Sequence, residues 1–177
     1  MRAKMSKKND ILTTATRLFN QHSFVSVGID RIIDESQVAK MTFYKHFNSK
    51  EKLIIECLLA KDNEIREQLT HAIQETQKLN GNKVDGILKW YENWLYSADF
   101  YGSLFVKAIN QFPNNQYIRD IAFEHSKHLK KLFQLALNSQ EKSDYLFALL
   151  AGATVREQVY KDKTSLSLIK QTVKMIA

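Results

Sequence analysis

The chain has 177 residues, 44% of them hydrophobic, with 5 Gly, 1 Pro, 1 Cys and a formal net charge of +7. That much apolar material builds a real core, and so little Gly and Pro leaves too few turns for an all-β fold. No apolar run reaches the roughly 18 residues of a membrane span, and the charged start "MRAKMSKKNDILTTATRLF" does not read as a signal peptide.

The single cysteine, Cys57, cannot close an intrachain disulfide, so a reducing, cytoplasmic setting with no membrane partner is expected. The charge is uneven. Residues 1–50 hold nine Lys/Arg against four acids, a balance of +5, and the rest of the chain carries only +2. A basic small unit joined to a near-neutral larger one points to a polyanion as the partner of the first.

In chain order, a first helix is expected from about Lys7 to Gln21, with Ser6 as its N-cap. Its apolar face is Ile11, Leu12, Ala15, Leu18 and Phe19. His22–Val27 breaks the pattern, and a short second helix follows over about Gly28–Glu35 with Ile29, Ile32 and Ile33 inward. Ser36-Gln37-Val38 is a tight turn, and a third helix covers about Lys40–His46. Asn48 is the expected cap of a long fourth helix from Ser49 to about Lys78, with Glu51 completing a capping box. "LNGNK" ends it. Further helices are expected over about Val84–Ser97, Tyr101–Phe112, Gln116–Asn138, Lys142–Lys161 and Ser165–Ile176, with Pro113 stopping the second of these.

Two short helices across a three-residue turn, braced by an earlier helix, make a helix-turn-helix. The fold class expected is therefore all-α: an N-terminal three-helix helix-turn-helix head, linked by a long helix to a C-terminal helical bundle. The division falls at 48/49, with residues 1–48 as the helix-turn-helix DNA-binding domain and residues 49–177 as the helical body, for which the resemblance described below implies effector binding and dimerisation. A helix enters the major groove only if it stands clear of its own domain and shows short polar or cationic groups outward. Lys40, Thr42, Lys45 and His46 are placed to do so.

"SVGIDRIIDESQVAKMTFYKHFNSKEKLI" resembles the DNA-binding segment of the tetracycline-repressor (TetR) family, with "LFNQHSF" as its lead-in. Ile29 and Ile32 match apolar positions of the second helix, and Val38 the turn valine. Thr42, Phe43, Tyr44, His46 and Phe47 match the recognition helix and its exit, and Ser49, Lys50, Glu51 and Leu53 the start of the bridging helix. The resemblance implies that Lys40, Met41, Thr42, Tyr44, Lys45, His46 and Lys50 lie at double-stranded DNA, with Tyr44 and Lys50 on phosphates. Several positions depart from the family pattern: Val27 and Gly28 replace the usual Thr and Ser, Ser23 a Gly, Gln37 the turn Gly, Ala39 a Ser and Met41 a Gly. Met41 either meets a thymine methyl or tucks back into the head.

The resemblance also implies a body that dimerises and holds a small-molecule effector. "FYGSLFVKAINQF", "EHSKHLKKLF" and "YLFALLAGATVREQVY" resemble one C-terminal variant of the family, in which the helix near 103 often carries a cysteine; here Ser103 stands there. Trp90, Trp94, Tyr101 and Phe105 are the candidate walls of a ligand pocket, and Asn110, His125 and Arg156 its candidate polar groups. For Arg156, a salt bridge to a nearby acid is the simpler account. Tyr145, Leu146, Leu149, Leu150, Ala153 and Val159, then Leu166, Ile169, Val173 and Ile176, form stripes that either close the monomer's own core or meet a two-fold copy. Close helix approach is expected at Gly152.

The family reading is a homodimeric repressor released from a palindromic operator by an unknown effector, with no cofactor. Enzyme motifs are missing: the sequence contains no G-x-S-x-G, phosphate loop or H-E-x-x-H, and His125 and His128 beside Glu124 lack the paired Glu-x-x-His of di-iron bundles. No metal site is expected. The other readings are a DNA-binding adaptor without a small-molecule inducer and a redox-responsive regulator acting through Cys57, whose apolar neighbours suggest an inert thiol.

Overall fold

The computed structural model describes residues 6–176, with side chains through Val173. Among the described residues it is all-α: α1 (Lys7–Gln21), α2 (Ile29–Ser36), α3 (Lys40–His46), α4 (Lys50–Lys78), α5 (Lys83–Leu95), α6 (Leu104–Gln111), α7 (Gln116–Leu137), α8 (Gln140–Tyr160) and α9 (Ser165–Ile176). No helix among these residues is long and apolar enough to cross a membrane.

The chain gathers into two compact units. The first takes in the residues up to Asp62 and then Leu104–Ala122; the second takes in Asn63–Ser103 and the chain from Phe123 on. The boundaries fall inside α4, at the start of α6 and inside α7. The first unit thus extends past residue 48 to take in the start of α4, α6 and the start of α7.

Within the first unit, α1 starts as its sequence demands: Ser6 Oγ accepts the Asn9 N–H at 3.3 Å. Ile11, Ala15, Leu18 and Phe19 of α1 are buried together with Ile32, Val38, Phe43 and Phe47. Leu12 and Ile29, expected inward, are only half-buried. Serines shape the corner between α1 and α2, where the Ser26 N–H donates to Ser23 Oγ at 3.0 Å and the two hydroxyls meet at 2.8 Å. Phe24 of this corner packs against Phe19 (ring centroids 4.9 Å) and, edge-on, Phe112 (5.9 Å).

The cap of α4 differs from expectation. Ser49 Oγ, not Asn48, accepts the Lys52 N–H at 3.1 Å. That makes Ser49 the N-cap and Lys52 the third helical residue, so Glu51 cannot complete a capping box. Its carboxylate instead accepts from Asn115 Nδ2 at 2.6 Å.

In the second unit, Gly86 of α5 lies against α4. A β-carbon there would come within 2.7 Å of the Ala72 carbonyl oxygen and 2.8 Å of Ile73 Cα, so only glycine allows this approach. α6 begins at Leu104 rather than Tyr101 because Gly102 takes φ +82°, a left-handed turn that ends the preceding loop. The turn from α8 to α9 is closed by Glu157, whose buried carboxylate accepts the N–H groups of Lys163 (3.2 Å) and Ser165 (3.3 Å). Leu146, Leu150, Ala153, Leu166, Ile169 and Val173 are buried in the single chain. That part of the apolar stripes closes the unit's own core. Tyr145, Val155, Val159 and Leu168 are exposed, and Ile176's side chain lies outside the described residues.

Candidate nucleic-acid interface

The recognition helix stands on a turn that the sequence makes with difficulty. Gln37 occupies the left-handed region (φ 54°, ψ 38°), and its N–H reaches the carbonyls of Ile33 and Asp34. A β-carbon there costs roughly 1–2 kcal/mol, which a glycine avoids. Val38 then drops into the core, and α3 begins after Ala39 without a side-chain cap. α2 likewise starts after Gly28 with no side-chain cap. Both helices depend on packing rather than on their own ends.

Phe43 and Phe47 are fully buried with ring centroids 6.0 Å apart, and they fix which side of α3 faces outward. On that outer side Met41 is 86% exposed and Tyr44 45%. Met41 therefore does not tuck into the head. Lys40 and Lys45 are exposed, and Thr42 and His46 are half-buried. Tyr44 meets Phe43 edge-on at 5.4 Å. α3 contains no acid, and its last turn carries Lys45 and His46. Asp30, itself exposed, pairs with this face, its carboxylate 3.4 Å from Lys40 Nζ.

Lys50, the first residue of α4, is half-buried, and its ammonium donates to the Val25 carbonyl at 3.3 Å. Partial burial lowers its pKa. The head is braced behind this face by ion pairs. Arg17 and Arg31 both hold Glu35, at 2.6 and 2.8 Å, and they keep its carboxyl below the usual range, Arg17 most strongly. Lys8 pairs with Glu56 at 2.6 Å and lies over the Phe47 ring at 5.7 Å.

The structure thus presents Lys40, Met41, Thr42, Tyr44, Lys45 and His46 on one short helix, with Lys50 at the start of the next. Sequence reasoning missed Lys107. α1 has no basic residue in its last turn, and Lys107 of α6 donates to the carbonyls of Phe19, Asn20 and His22. The lack of a cation at the end of α1 was visible in the sequence; which lysine would serve there was not.

The candidate ligand residues are divided between the two units. Phe105, buried, and Asn110, exposed, lie in α6 in the first; Trp90, Trp94, Tyr101, His125 and Arg156 lie in the second. Trp90 stacks on Trp94 with centroids 5.6 Å apart, Phe100 meets Trp94 edge-on at 5.2 Å, and the Trp90 indole donates to Gln68 Oε1 at 3.1 Å. Tyr101 is partly exposed, and its carbonyl accepts from Gln158 Nε2 at 3.4 Å. His125 is buried. Arg156 is committed to the α8–α9 turn, donating to Asp162, Thr164 and Ser165. Its guanidinium is therefore occupied by a salt bridge rather than offered to a pocket. Cys57 is fully buried, and burial pushes its thiol pKa up to about 12, so it is no ready nucleophile.

Comparison with known proteins agrees with this geometry. The family model for bacterial regulatory proteins of the tetR family matches residues 11–57, which span α1 to the first turns of α4. The HTH-type transcriptional regulator YerO of Bacillus subtilis is 29% identical over 136 residues, 74% of this chain and 45% of YerO. The HTH-type transcriptional repressor NemR of Escherichia coli is 27% identical over 97 residues, 55% of this chain and 47% of NemR. The chain therefore spans about half the length of these curated relatives. The crystal structure of the TetR-family transcriptional regulator SCO4454 from Streptomyces coelicolor superposes with a TM-score of 0.80 at 27% identity, covering 92% of this chain and 89% of that one. The reduced form of E. coli NemR superposes with a TM-score of 0.83 at 24% identity, over 97% of both chains. By name these relatives are transcriptional regulators. Residues 11–57 are thus similar in sequence to the DNA-binding segment of bacterial regulatory proteins of the tetR family, and the described chain has the fold of a TetR-family transcriptional regulator such as SCO4454.

Proposed function

We propose that the protein is a homodimeric, cytoplasmic repressor that holds a palindromic operator and lets go when a small molecule binds its body. In this reading residues 1–48, together with Lys50 at the start of α4, touch DNA, and the rest of residues 49–177 carries dimerisation and effector binding. The observation that carries it is the outer side of α3, where exposed Lys40, Met41, Tyr44 and Lys45 stand on a helix without a single acid. Lys40, Tyr44, His46 and Lys50 hold phosphates and register, and Met41, Thr42 and Lys45 reach base edges.

Dimerisation is supported by the outward side of α8. Tyr145, Ala148, Gly152, Val155 and Val159 are all exposed at helical spacing, and nothing lies within 4 Å of the place a Gly152 β-carbon would take. An apolar, small-residue face left open on a single chain is suited to a second copy, and a two-fold pair suits a palindrome. Repression is supported by the likeness to NemR, a repressor by name. The effector site is assigned to the aromatic group around Trp90, Trp94, Phe100 and Tyr101 in the second unit. Release is a population shift: an effector that prefers the DNA-incompetent form weakens operator binding by that preference.

Selection of bound duplexes from random DNA with the full-length chain tests the reading. Enrichment of a palindrome supports both DNA recognition and dimerism. Enrichment of no sequence over background removes the regulator proposal.

A further inference from the structure

Residues 104–122 return to the head after the chain has left it. Three side chains on this returning segment, four residues apart, tie it down. Lys107 Nζ lies 3.2, 2.5 and 3.1 Å from the carbonyl oxygens of Phe19, Asn20 and His22. An ammonium has three protons, and here each has an acceptor. The last carbonyls of a helix carry the negative end of its dipole, and α1 brings no cation of its own to meet them. Gln111 Oε1 accepts the Val25 N–H at 3.2 Å. Asn115 Nδ2 donates to Glu51 Oε1, beside Lys50.

Val25 links this strap to the DNA side. Its N–H is held by Gln111, and its carbonyl is held by Lys50 at 3.3 Å. The corner between α1 and α2 is therefore gripped from the α6 side and passes that grip to a lysine at the head of α4.

We infer that Lys107 is a positioning residue for operator binding. With Gln111 it fixes the α1–α2 corner, and through Val25 it sets where Lys50 and α3 stand against the duplex. This rests on the DNA-binding reading above. The role differs from a plain helix cap: a cap alone changes how much protein is folded, whereas a positioning group changes the affinity of the folded protein.

The test uses full-length protein and the selected operator, with Lys107→Gln, Lys107→Arg and Gln111→Leu. Operator Kd is read by fluorescence anisotropy at a temperature where circular dichroism shows each protein folded. Hydrogen exchange of the Ser23–Val27 amides is followed alongside. Lys107→Gln and Gln111→Leu are expected to bind about fivefold or more weakly, with faster exchange at the corner, and Lys107→Arg to stay within about twofold of wild type. Should Lys107→Gln fail to fold, Gln111→Leu decides alone. Wild-type affinity in the folded variants, or a loss in Lys107→Arg equal to that in Lys107→Gln, overturns the inference. A wild-type protein that binds no duplex removes the regulator reading and this inference with it, a result distinguishable from the others.

Discussion

Arg156 clasps Asp162 with both of its terminal nitrogens, Nη1 to Oδ1 at 2.7 Å and Nη2 to Oδ2 at 2.6 Å. The same carboxylate also accepts from the Thr164 N–H and hydroxyl, at 3.1 and 2.9 Å. These donors, Arg156 foremost, hold the Asp162 carboxyl well below its usual range. A group whose folded pKa is depressed contributes stability above its unfolded pKa and loses it as pH falls through the folded value. The α8–α9 turn should therefore loosen below about pH 4, where an unfolded aspartate takes up its proton. Asp162→Asn should flatten the acid limb of the stability–pH curve in that window. The pair is exposed, so 1 M salt should shrink the difference. Urea unfolding of both proteins from pH 3 to 7 checks it, and parallel acid limbs would contradict the assignment.

Gln37→Gly should stabilise the protein. The left-handed conformation at φ 54° is strained for glutamine and free for glycine, and the glutamine side chain is exposed, with no hydrogen bond to it among the described residues. Part of the relief is offset by the greater freedom of glycine in the unfolded chain, leaving a gain of about 0.5–1 kcal/mol. A rise in the urea midpoint with an unchanged m-value is the expected result.

Cys57→Ala should keep full operator affinity and lose about 1–2 kcal/mol of stability through the small cavity left behind. The native thiol should resist iodoacetamide at pH 8 and react only after unfolding, because burial holds its pKa near 12. Rapid native-state alkylation, or loss of DNA binding in Cys57→Ala, would restore the redox reading.

Lys50→Ala and Lys45→Ala should fail differently. Lys50→Ala is expected to weaken binding to every duplex alike and to reduce the slope of log K against log salt by about two, one phosphate for each head of a dimer. Lys45→Ala should instead alter the selected sequence. Binding titrations from 50 to 200 mM salt, with selection repeated for Lys45→Ala, separate the two. An unchanged slope in Lys50→Ala would take Lys50 off the phosphate.

Val155→Asp should convert the proposed dimer to monomer at micromolar concentration, since Val155 is exposed in the single chain and a carboxylate buried between two copies has no partner. Sedimentation equilibrium reads the mass and circular dichroism the fold. A dimer of wild-type affinity would place the interface elsewhere.

Helix existence was legible throughout, because the apolar period and the cap chemistry are local matters of three and four residues. α1, α3 and α9 begin and end where the residues say they should, and the tight turn expected at residues 36–38 is present, with Gln37 in the left-handed region. Ser49 was misjudged beside Asn48, since both can cap and only the backbone path chooses between them. Arg156 was named both as a ligand group and as half of a salt bridge; the fold supplied Asp162 six residues on.

The order of the helices, the three-helix head and the cations on its outer side follow from the sequence alone, since each depends on neighbours within one or two turns. Two things waited for the tertiary structure. One was which half of the α8 and α9 stripes is spent inside a single chain, for periodicity marks an apolar face without saying what covers it. The other was the return of Lys107 to carbonyls 85 to 88 residues earlier, a contact between groups that no local pattern relates and that only the packed chain brings within hydrogen-bond reach.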